Sequence, residues 1–140
     1  EGSVVLTPRA SQPLHIPWAI TFGKPARAAL SEIALEPNSF KPSVPTPAVL
    51  SLRTGTLLQT PTGPQVQPVA RLDFELWHGK KRLGLLARLR DLLPGQVALG
   101  VTGLYPGGKQ LPPGHYKIVL IALPTGSGPA TRVAVRFRIK

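Results

Sequence analysis

The chain contains no cysteine, and only six of its 140 residues are Asp or Glu. Without cysteine, the chain can form no disulfide and no thiolate metal site, and its redox compartment cannot be inferred. The scarcity of acids excludes a calcium loop, which needs clustered acidic oxygens. A zinc site would require the dispersed His15, His78 and His115 plus a carboxylate, and their spacing matches no known arrangement. We therefore expect no metal and no other cofactor.

The sequence also lacks the motifs of common enzyme classes. It has no Gly-x-Ser-x-Gly elbow for a serine hydrolase and no glycine-rich loop opening a helix for a nucleotide. Asp73 and Glu75 share one face of a predicted strand, as a pair of glycosidase carboxylates could. Arginines share that face, so we interpret the two acids as cross-strand ion-pair partners instead. We expect a non-catalytic domain.

Long apolar runs are absent as well. No window approaches the roughly 18 to 20 apolar residues that span a bilayer, so no membrane insertion is expected. The first ten residues, EGSVVLTPRA, have neither the basic nor the apolar region of a signal peptide. A signal for secretion would therefore lie upstream. Glu1-Gly2-Ser3 can be a cloning remnant or a natural sequence, and both alternatives stay open.

Proline and glycine, in contrast, are abundant. Seventeen prolines and fourteen glycines are scattered singly between short apolar runs, where they separate strands without forming a low-complexity tract. With 42% apolar residues, the chain can bury a sizeable core. These features favour an all-β domain.

Alternation of apolar and polar residues predicts the strands. It is clearest at residues 70–77, where Leu72 and Phe74 face inward, and at residues 130–140. Residues 83–93 have the leucine spacing of a helix, but Gly84 and the following Pro94-Gly95 favour a strand and a loop. Residues 36–47 and 59–68 are predicted as loops, the first anchored by Phe40. Further strands are predicted at residues 4–6, 14–22, 33–35, 48–53, 97–101 and 116–123, a spacing typical of a β-sandwich.

Three corner motifs carry a resemblance to a known domain family. They are Leu93-Pro94-Gly95, Gly107-Gly108 and the run Leu111-Pro112-Pro113-Gly114-His115-Tyr116. In this order they resemble the immunoglobulin-like domain of flagellar hook-capping proteins, which also occurs as repeats at the C-termini of secreted bacterial enzymes. The resemblance covers about half of the chain and implies an immunoglobulin-like β-sandwich.

The beginning of the chain carries a second resemblance. Gly2, Val4–Leu6 and Ile16-Pro17-Trp18 are similar to the terminal hairpin of the fibronectin type III-like domain that follows the catalytic domain of extracellular subtilisin-like serine proteases. Since Gly23-Lys24-Pro25-Ala26-Arg27 breaks the strand pattern, we divide the chain into a hairpin at 1–27, which can be the end of a preceding fibronectin-like domain, and an immunoglobulin-like sandwich at 28–140.

Together, the two resemblances imply a function. They suggest a non-catalytic accessory domain that stabilises or positions a secreted subtilisin-like serine protease. Its partner would be the catalytic domain of the same chain, and its location would be secreted or at the cell surface. No protease catalytic motif is present in the 140 residues, so no catalytic residue is assigned.

The net charge of +11 supports an alternative function. Such a charge attracts polyanions, and it suggests a module that binds a cell wall, a glycan or another polyanion. Nucleic acid ranks below these ligands, because no recognition helix and no strand with interleaved aromatics is evident. Trp77 lies on the charged phase of its strand, where it could stack on a sugar. The candidate binding residues are Trp77, His78, Lys80, Lys81, Arg82 and Tyr105.

Overall fold

The computed structural model describes residues 2–6, 14–18, 29–125 and 128–140, and every regular element in these ranges is a β-strand. The fold is therefore all-β, as predicted. No helix of the described residues is long and apolar enough to cross a membrane. The strands are β1 (Gly2–Leu6), β2 (Leu14–Trp18), β3 (Leu30–Glu36), β4 (Ser39–Phe40), β5 (Ala48–Thr54), β6 (Thr56–Thr60), β7 (Gly63–Gln67), β8 (Val69–His78), β9 (Lys81–Leu92), β10 (Gly95–Val101), β11 (Gly114–Pro124) and β12 (Thr131–Ile139).

Two sheets enclose the core. One has three strands in the order β10-β5-β3, and the other has five in the order β4-β12-β11-β8-β9. All neighbours are antiparallel except β4 and β12, which run parallel. The chain crosses between the sheets at the Leu93-Pro94 corner, so β9 and β10, which are consecutive in sequence, lie in different sheets. The structure is consistent with a β-sandwich.

The core lies between the inward phases of the two sheets. Leu72, Phe74 and Leu76 of β8 are fully buried, as their alternation predicted. Leu50 and Leu52 of β5 face them from the three-stranded sheet. Burying a side chain of this size contributes about 1.5–3 kcal/mol. The other residues of this cluster on β11 and β12 are Tyr116, Ile118, Leu120, Ala122, Phe137 and Ile139.

The leucine-rich segment at residues 83–93 is a strand, as predicted from Gly84 and the Pro94-Gly95 corner. It forms most of β9, whose pairing with β8 shifts register between Phe74 and Glu75 and again between Leu76 and Trp77. Such bulges insert an extra residue and change which side chains face outward. Leu85, Leu86 and their neighbours are consequently half-buried instead of alternating strictly.

The loop predicted at residues 59–68 is wrong. Residues 56–60 and 63–67 form an antiparallel hairpin, β6–β7. The mostly exposed residues of β7 offered no apolar face from which a strand could be predicted. The loop predicted at residues 36–47 is largely confirmed: β4 interrupts it for two residues, and Phe40 is buried and stacks on Phe137 at a centroid distance of 5.6 Å.

The N-terminal residues form the expected hairpin, in which Gly2 pairs with Trp18 and Leu6 with Leu14. The strand predicted to reach residue 22 is described only to Trp18. The predicted break at residues 23–27 lies outside the described residues, as does the side chain of His15. The assignment of residues 1–27 to a preceding domain stays a prediction.

Candidate functional site

The outer face of the five-stranded sheet collects most of the charged strand residues. Antiparallel partners point to the same side of a sheet, so register shows which side chains share this face. Arg71, Asp73, Glu75 and Trp77 of β8 point outward, opposite the buried Leu72 and Phe74. The outward partners on the flanking strands are Arg82, Arg88 and Arg90 of β9 and Lys117, Val119, Ile121 and Leu123 of β11, and β11 pairs in turn with Arg132, Ala134, Arg136 and Arg138 of β12.

Asp73 lies at the centre of the β8–β9 half of this face. Its side chain is 6% exposed and accepts two hydrogen bonds from Arg88, from Nε at 2.7 Å and from Nη2 at 3.0 Å. Nε of Arg71 lies 3.4 Å from Oδ2 as a second cation, without hydrogen-bond geometry. The hydrogen bond from Arg88, aided by the charge of Arg71, holds the pKa of Asp73 below its usual range although burial opposes this. Asp73 is thus buried, although it lies on the charged, outward phase of its strand.

Glu75 neutralises the next arginine and fixes Trp77. Its Oε1 accepts a hydrogen bond from Nε of Arg82 at 2.7 Å, and its Oε2 accepts one from Nε1 of Trp77 at 3.1 Å. Nζ of Lys117, the cross-strand partner of Trp77, lies 5.4 Å from the ring centroid, within the range of a cation–π contact. One face of the indole therefore carries a cation. The two acids are cross-strand ion-pair partners, as predicted.

The β11–β12 half of the face has a different charge balance. Lys117, Arg132, Arg136 and Arg138, here called the basic surface, have no acidic side chain within 4.0 Å among the described residues. The three arginines are exposed, and they follow one another on the outward phase of β12. The two carboxylates of the outer face are both on β8 and bind arginines of β8 and β9. Arg90 of β9 also has no acid within 4.0 Å among the described residues, so most, but not all, of the uncompensated positive charge of this face is on β11 and β12.

One cross-strand pair on this half joins like charges, because Lys117 pairs with Arg136. The next outward pair joins the imidazole of His115 to Arg138. Like charges directly opposite each other destabilise a sheet. On β8 and β9, Asp73–Arg88 joins opposite charges but Arg71–Arg90 joins like charges, and Arg82, the ion-pair partner of Glu75, lies opposite Trp77. The carboxylate of Asp73 lies 3.4 Å from Arg71 and offsets that like-charged pair, whereas Lys117, Arg136 and Arg138 have no acid within 4.0 Å among the described residues.

The residues predicted to form a binding site are only partly brought together. Trp77 and Arg82 lie side by side on the outer face, but Glu75 holds both. Lys80 is exposed in the turn between β8 and β9. His78 and Lys81 pair with each other in the opposite phase, and the ring of His78 packs against Tyr116 at a centroid distance of 4.9 Å.

Tyr105 lies on the inner side of the five-stranded sheet. It is half-buried against the core and lines a cavity of about 270 Å³ together with Leu76, Leu99 and Leu111. It therefore anchors its loop on the inner side of the sheet, and it does not share a surface with Trp77.

The basic surface itself was missed by reasoning from sequence. The alternation at residues 130–140 predicts that Arg132, Arg136 and Arg138 point outward, but none of them is among the candidate binding residues chosen from the sequence. The missing information was the sheet order, which puts β11 between β12 and β8 and places the apolar Val119 and Ile121 of β11 opposite the two acids. A sequence signal did exist, because four basic residues alternate with apolar ones in a segment that contains no acid.

Comparison with known proteins gives no family assignment. No family model matches the chain, and no curated protein matches it significantly.

Proposed function

We propose that the chain is a non-catalytic β-sandwich module that binds an anionic polymer through the basic surface. The observation that supports this proposal is the uneven distribution of charge on the outer face of the five-stranded sheet. Both carboxylates are bound by arginines of β8 and β9, while Lys117, Arg132, Arg136 and Arg138 have no acidic partner among the described residues. Cations without acidic partners on an open sheet are available to a ligand.

The shape of the basic surface favours an extended ligand. Arg132 and Arg138 are six residues apart on one strand, which at about 3.3 Å per residue separates them by roughly 20 Å. Arg136 lies between them, and Lys117 flanks it on β11. A polymer that runs along β12 can contact all four cations, whereas a small anion can contact two or three.

Stacking contributes less to this proposal than charge does. Proteins that bind single-stranded nucleic acid combine a basic groove with open aromatic platforms. On the described part of this face the aromatic side chain is Trp77, which is half-buried, hydrogen-bonded to Glu75 and covered on one side by Lys117. We therefore favour an anionic cell-wall polysaccharide, recognised by charge, over nucleic acid and over a neutral glycan.

Binding to a phosphate-containing wall polymer over a salt series tests the proposal. Each phosphate contact on a single-stranded polyanion contributes roughly −0.7 to the slope of log K against log salt, so four contacts give a slope of about −3. A neutral glucan should not bind, and single-stranded DNA of equal charge should bind more weakly than the wall polymer. Stronger binding to DNA would reassign the ligand class.

A matched pair of variants separates the surface from the net charge. Arg136→Gln removes one cation from the basic surface and should reduce both the affinity and the magnitude of the slope by about 0.7. Arg53→Gln removes the same charge from the three-stranded sheet, where Arg53 pairs with Glu32, and should leave both unchanged. Equal effects of the two variants would show that net charge alone is responsible.

We also propose that the sandwich is of the immunoglobulin-like or fibronectin type III-like kind. Two observations support this. The first observation is the strand order. If β3, β5, β8, β9, β10, β11 and β12 are called A, B, C, C′, E, F and G, one sheet contains A, B and E. The other contains G, F, C and C′ in that order, as in an immunoglobulin-like sandwich with an added strand beside C. The hydroxyl of Tyr116, near the start of β11, donates to the carbonyl of Pro112 at 2.9 Å, in the manner of a tyrosine corner.

The accessory role beside a subtilisin-like catalytic domain remains a proposal from the sequence resemblance. It is compatible with polymer binding, since a wall-binding module can position an enzyme on its substrate. The test is to join this chain to such a catalytic domain and to compare thermal inactivation and wall association with those of the catalytic domain alone. No change in either would refute it.

A further inference from the structure

One end of the basic surface forms an open depression of about 590 Å³. It lies where β4, β12 and β11 are adjacent and where the β8–β9 turn approaches them. Its lining includes Ser39, His115, Lys117, Arg136 and Arg138, with Gly79 on the rim. A Cβ at Gly79 would meet no atom within 4 Å, so the turn leaves this side open.

Register places the basic residues of the depression as a block of two pairs. Arg138 is opposite His115, and Arg136 is opposite Lys117. Cross-strand neighbours are about 5 Å apart, and successive outward residues on one strand are about 7 Å apart. On the other side of β12, Ser39 pairs with Arg138 and adds a hydroxyl to the row. Four side chains that can be cationic thus converge on one depression with a neutral donor beside them.

The number of positive charges in the depression determines which class of anion would fit it best. Two guanidinium groups and one ammonium supply three positive charges, so a monoanion would leave most of the repulsion between them uncompensated. Guanidinium donors form paired hydrogen bonds to tetrahedral and planar oxyanions alike, and a dianion supplies both the charge and the acceptor oxygens. A phosphomonoester, which carries a charge of about −1.5 to −2 at neutral pH, fits this requirement better than a phosphodiester or a carboxylate.

We propose that the depression binds a phosphomonoester group, which would anchor the end or a phosphorylated side group of the polymer that lies along β12. This inference rests on the proposed function, because it assigns a specific position on the same surface. Arg136, Arg138 and Lys117 contact the phosphate oxygens, and the hydroxyl of Ser39 donates to one of them. Arg132 lies outside the depression and contacts only the rest of the polymer.

A titration of the full chain with small anions tests the site, with amide chemical shifts as the readout. Glycerol 3-phosphate should bind saturably and shift the signals of residues 38–39, 115–117 and 136–138. Dimethyl phosphate, a diester with one charge, should bind about tenfold more weakly, since it lacks one charge-assisted interaction. Equal affinities for the two anions would overturn the inference.

Two variants of the same strand provide the matched control. Arg138→Gln should weaken glycerol 3-phosphate binding about tenfold, whereas Arg132→Gln should change it less than twofold. Both are exposed arginines on the outer face of β12, and unchanged thermal midpoints would show that both variants fold. Equal weakening by the two variants would indicate a diffuse field without a defined site and would overturn the inference.

Polymer binding separates this inference from the proposed function. A wall polymer that carries terminal phosphomonoesters should bind more tightly than the same polymer after phosphatase treatment, and Arg138→Gln should abolish that difference. If both polymers bind equally in a salt-dependent manner, the depression is not a phosphomonoester site but the proposed function stands.

If glycerol 3-phosphate binds and neither polymer does, the chain is a receptor for small phosphorylated ligands and the polymer proposal fails. Inorganic phosphate that competes as well as glycerol 3-phosphate would identify free phosphate as the ligand and would overturn the anchoring role.

Discussion

Arg88 donates two hydrogen bonds to the carboxylate of Asp73, which is 6% exposed although it lies on the outward phase of β8. Replacement of the acid, Asp73→Asn, should lower the free energy of unfolding by about 1–2 kcal/mol, because a charge-assisted pair is lost at a covered position. Chemical denaturation measures this change. The control is Glu32→Gln, which breaks the exposed ion pair with Arg53 and should cost less than about 0.5 kcal/mol. Equal losses would show that the covering of Asp73 has no energetic role.

The same carboxylate should make stability depend on pH in the acid range. The hydrogen bond from Arg88 holds the pKa of Asp73 below its usual range in the folded state, whereas in the unfolded chain the pKa of an Asp is about 3.9. The stabilisation is therefore present above about pH 4 and is lost as the pH falls through the lower folded-state pKa. Denaturation midpoints between pH 6 and pH 2 should fall more steeply for the parent protein than for Asp73→Asn. Parallel curves would contradict this assignment.

Gly55 should tolerate no side chain. It follows β5 with a φ of +78°, and an added Cβ would lie 2.8 Å from the backbone Cα of Pro94 at the corner between the sheets. Gly55→Ala combines backbone strain with a clash, so we expect it to destabilise the protein by more than about 1 kcal/mol. Gly107→Ala is the control, since a Cβ there meets nothing within 4 Å, and it should change stability by less than about 0.5 kcal/mol. A Gly55→Ala variant as stable as Gly107→Ala would refute this.

The tyrosine at the start of β11 provides a test of the corner that begins this strand. Tyr116→Phe removes the hydrogen bond to the carbonyl of Pro112 and keeps the ring contacts with His78 and Phe137. It should cost about 1 kcal/mol. Tyr105→Phe, at a half-buried ring whose hydroxyl has no hydrogen bond to the described residues, should cost much less. Similar costs at the two positions would remove the tyrosine corner as support for the proposed fold type.

Sequence patterns predicted the strands that bury one clean face. Leu72 and Phe74 alternate with charged residues, and Phe137 and Ile139 alternate with arginines, so the inward phase follows directly from period two. The segment around Leu85 was assigned correctly for a different reason, namely Gly84 and the Pro94-Gly95 corner. The β6–β7 hairpin was not predicted because β7 is largely exposed and shows no such phase. Local pattern is informative where burial imposes it and uninformative in an exposed strand.

Sequence patterns could not show in the same way which basic residues are neutralised by acids and which are not. The sequence shows that Arg88 and Arg136 are both outward basic residues, but only sheet order shows that one faces an acid and the other faces Lys117. Pairing between distant strands is a tertiary property, and cross-strand partners decide whether a cation is neutralised or available. For this reason the sequence predicts the binding site on β8 and β9, around Trp77 and Arg82, and not on β11 and β12.

Trp77 still allows a direct test of stacking against charge. Trp77→Ala removes the ring under Lys117 and the hydrogen bond to Glu75, but it removes no cation, so we expect polymer affinity at fixed salt to change less than about threefold with the same salt slope. Lys117→Gln should lower the affinity and reduce the magnitude of the slope by about 0.7, since it removes one phosphate contact. A base or sugar stacked on an aromatic ring contributes about 1–3 kcal/mol, which corresponds to a loss of roughly five- to 150-fold. A loss of that size for Trp77→Ala at constant salt, with an unchanged thermal midpoint, would contradict this expectation and show that the ligand stacks on the indole.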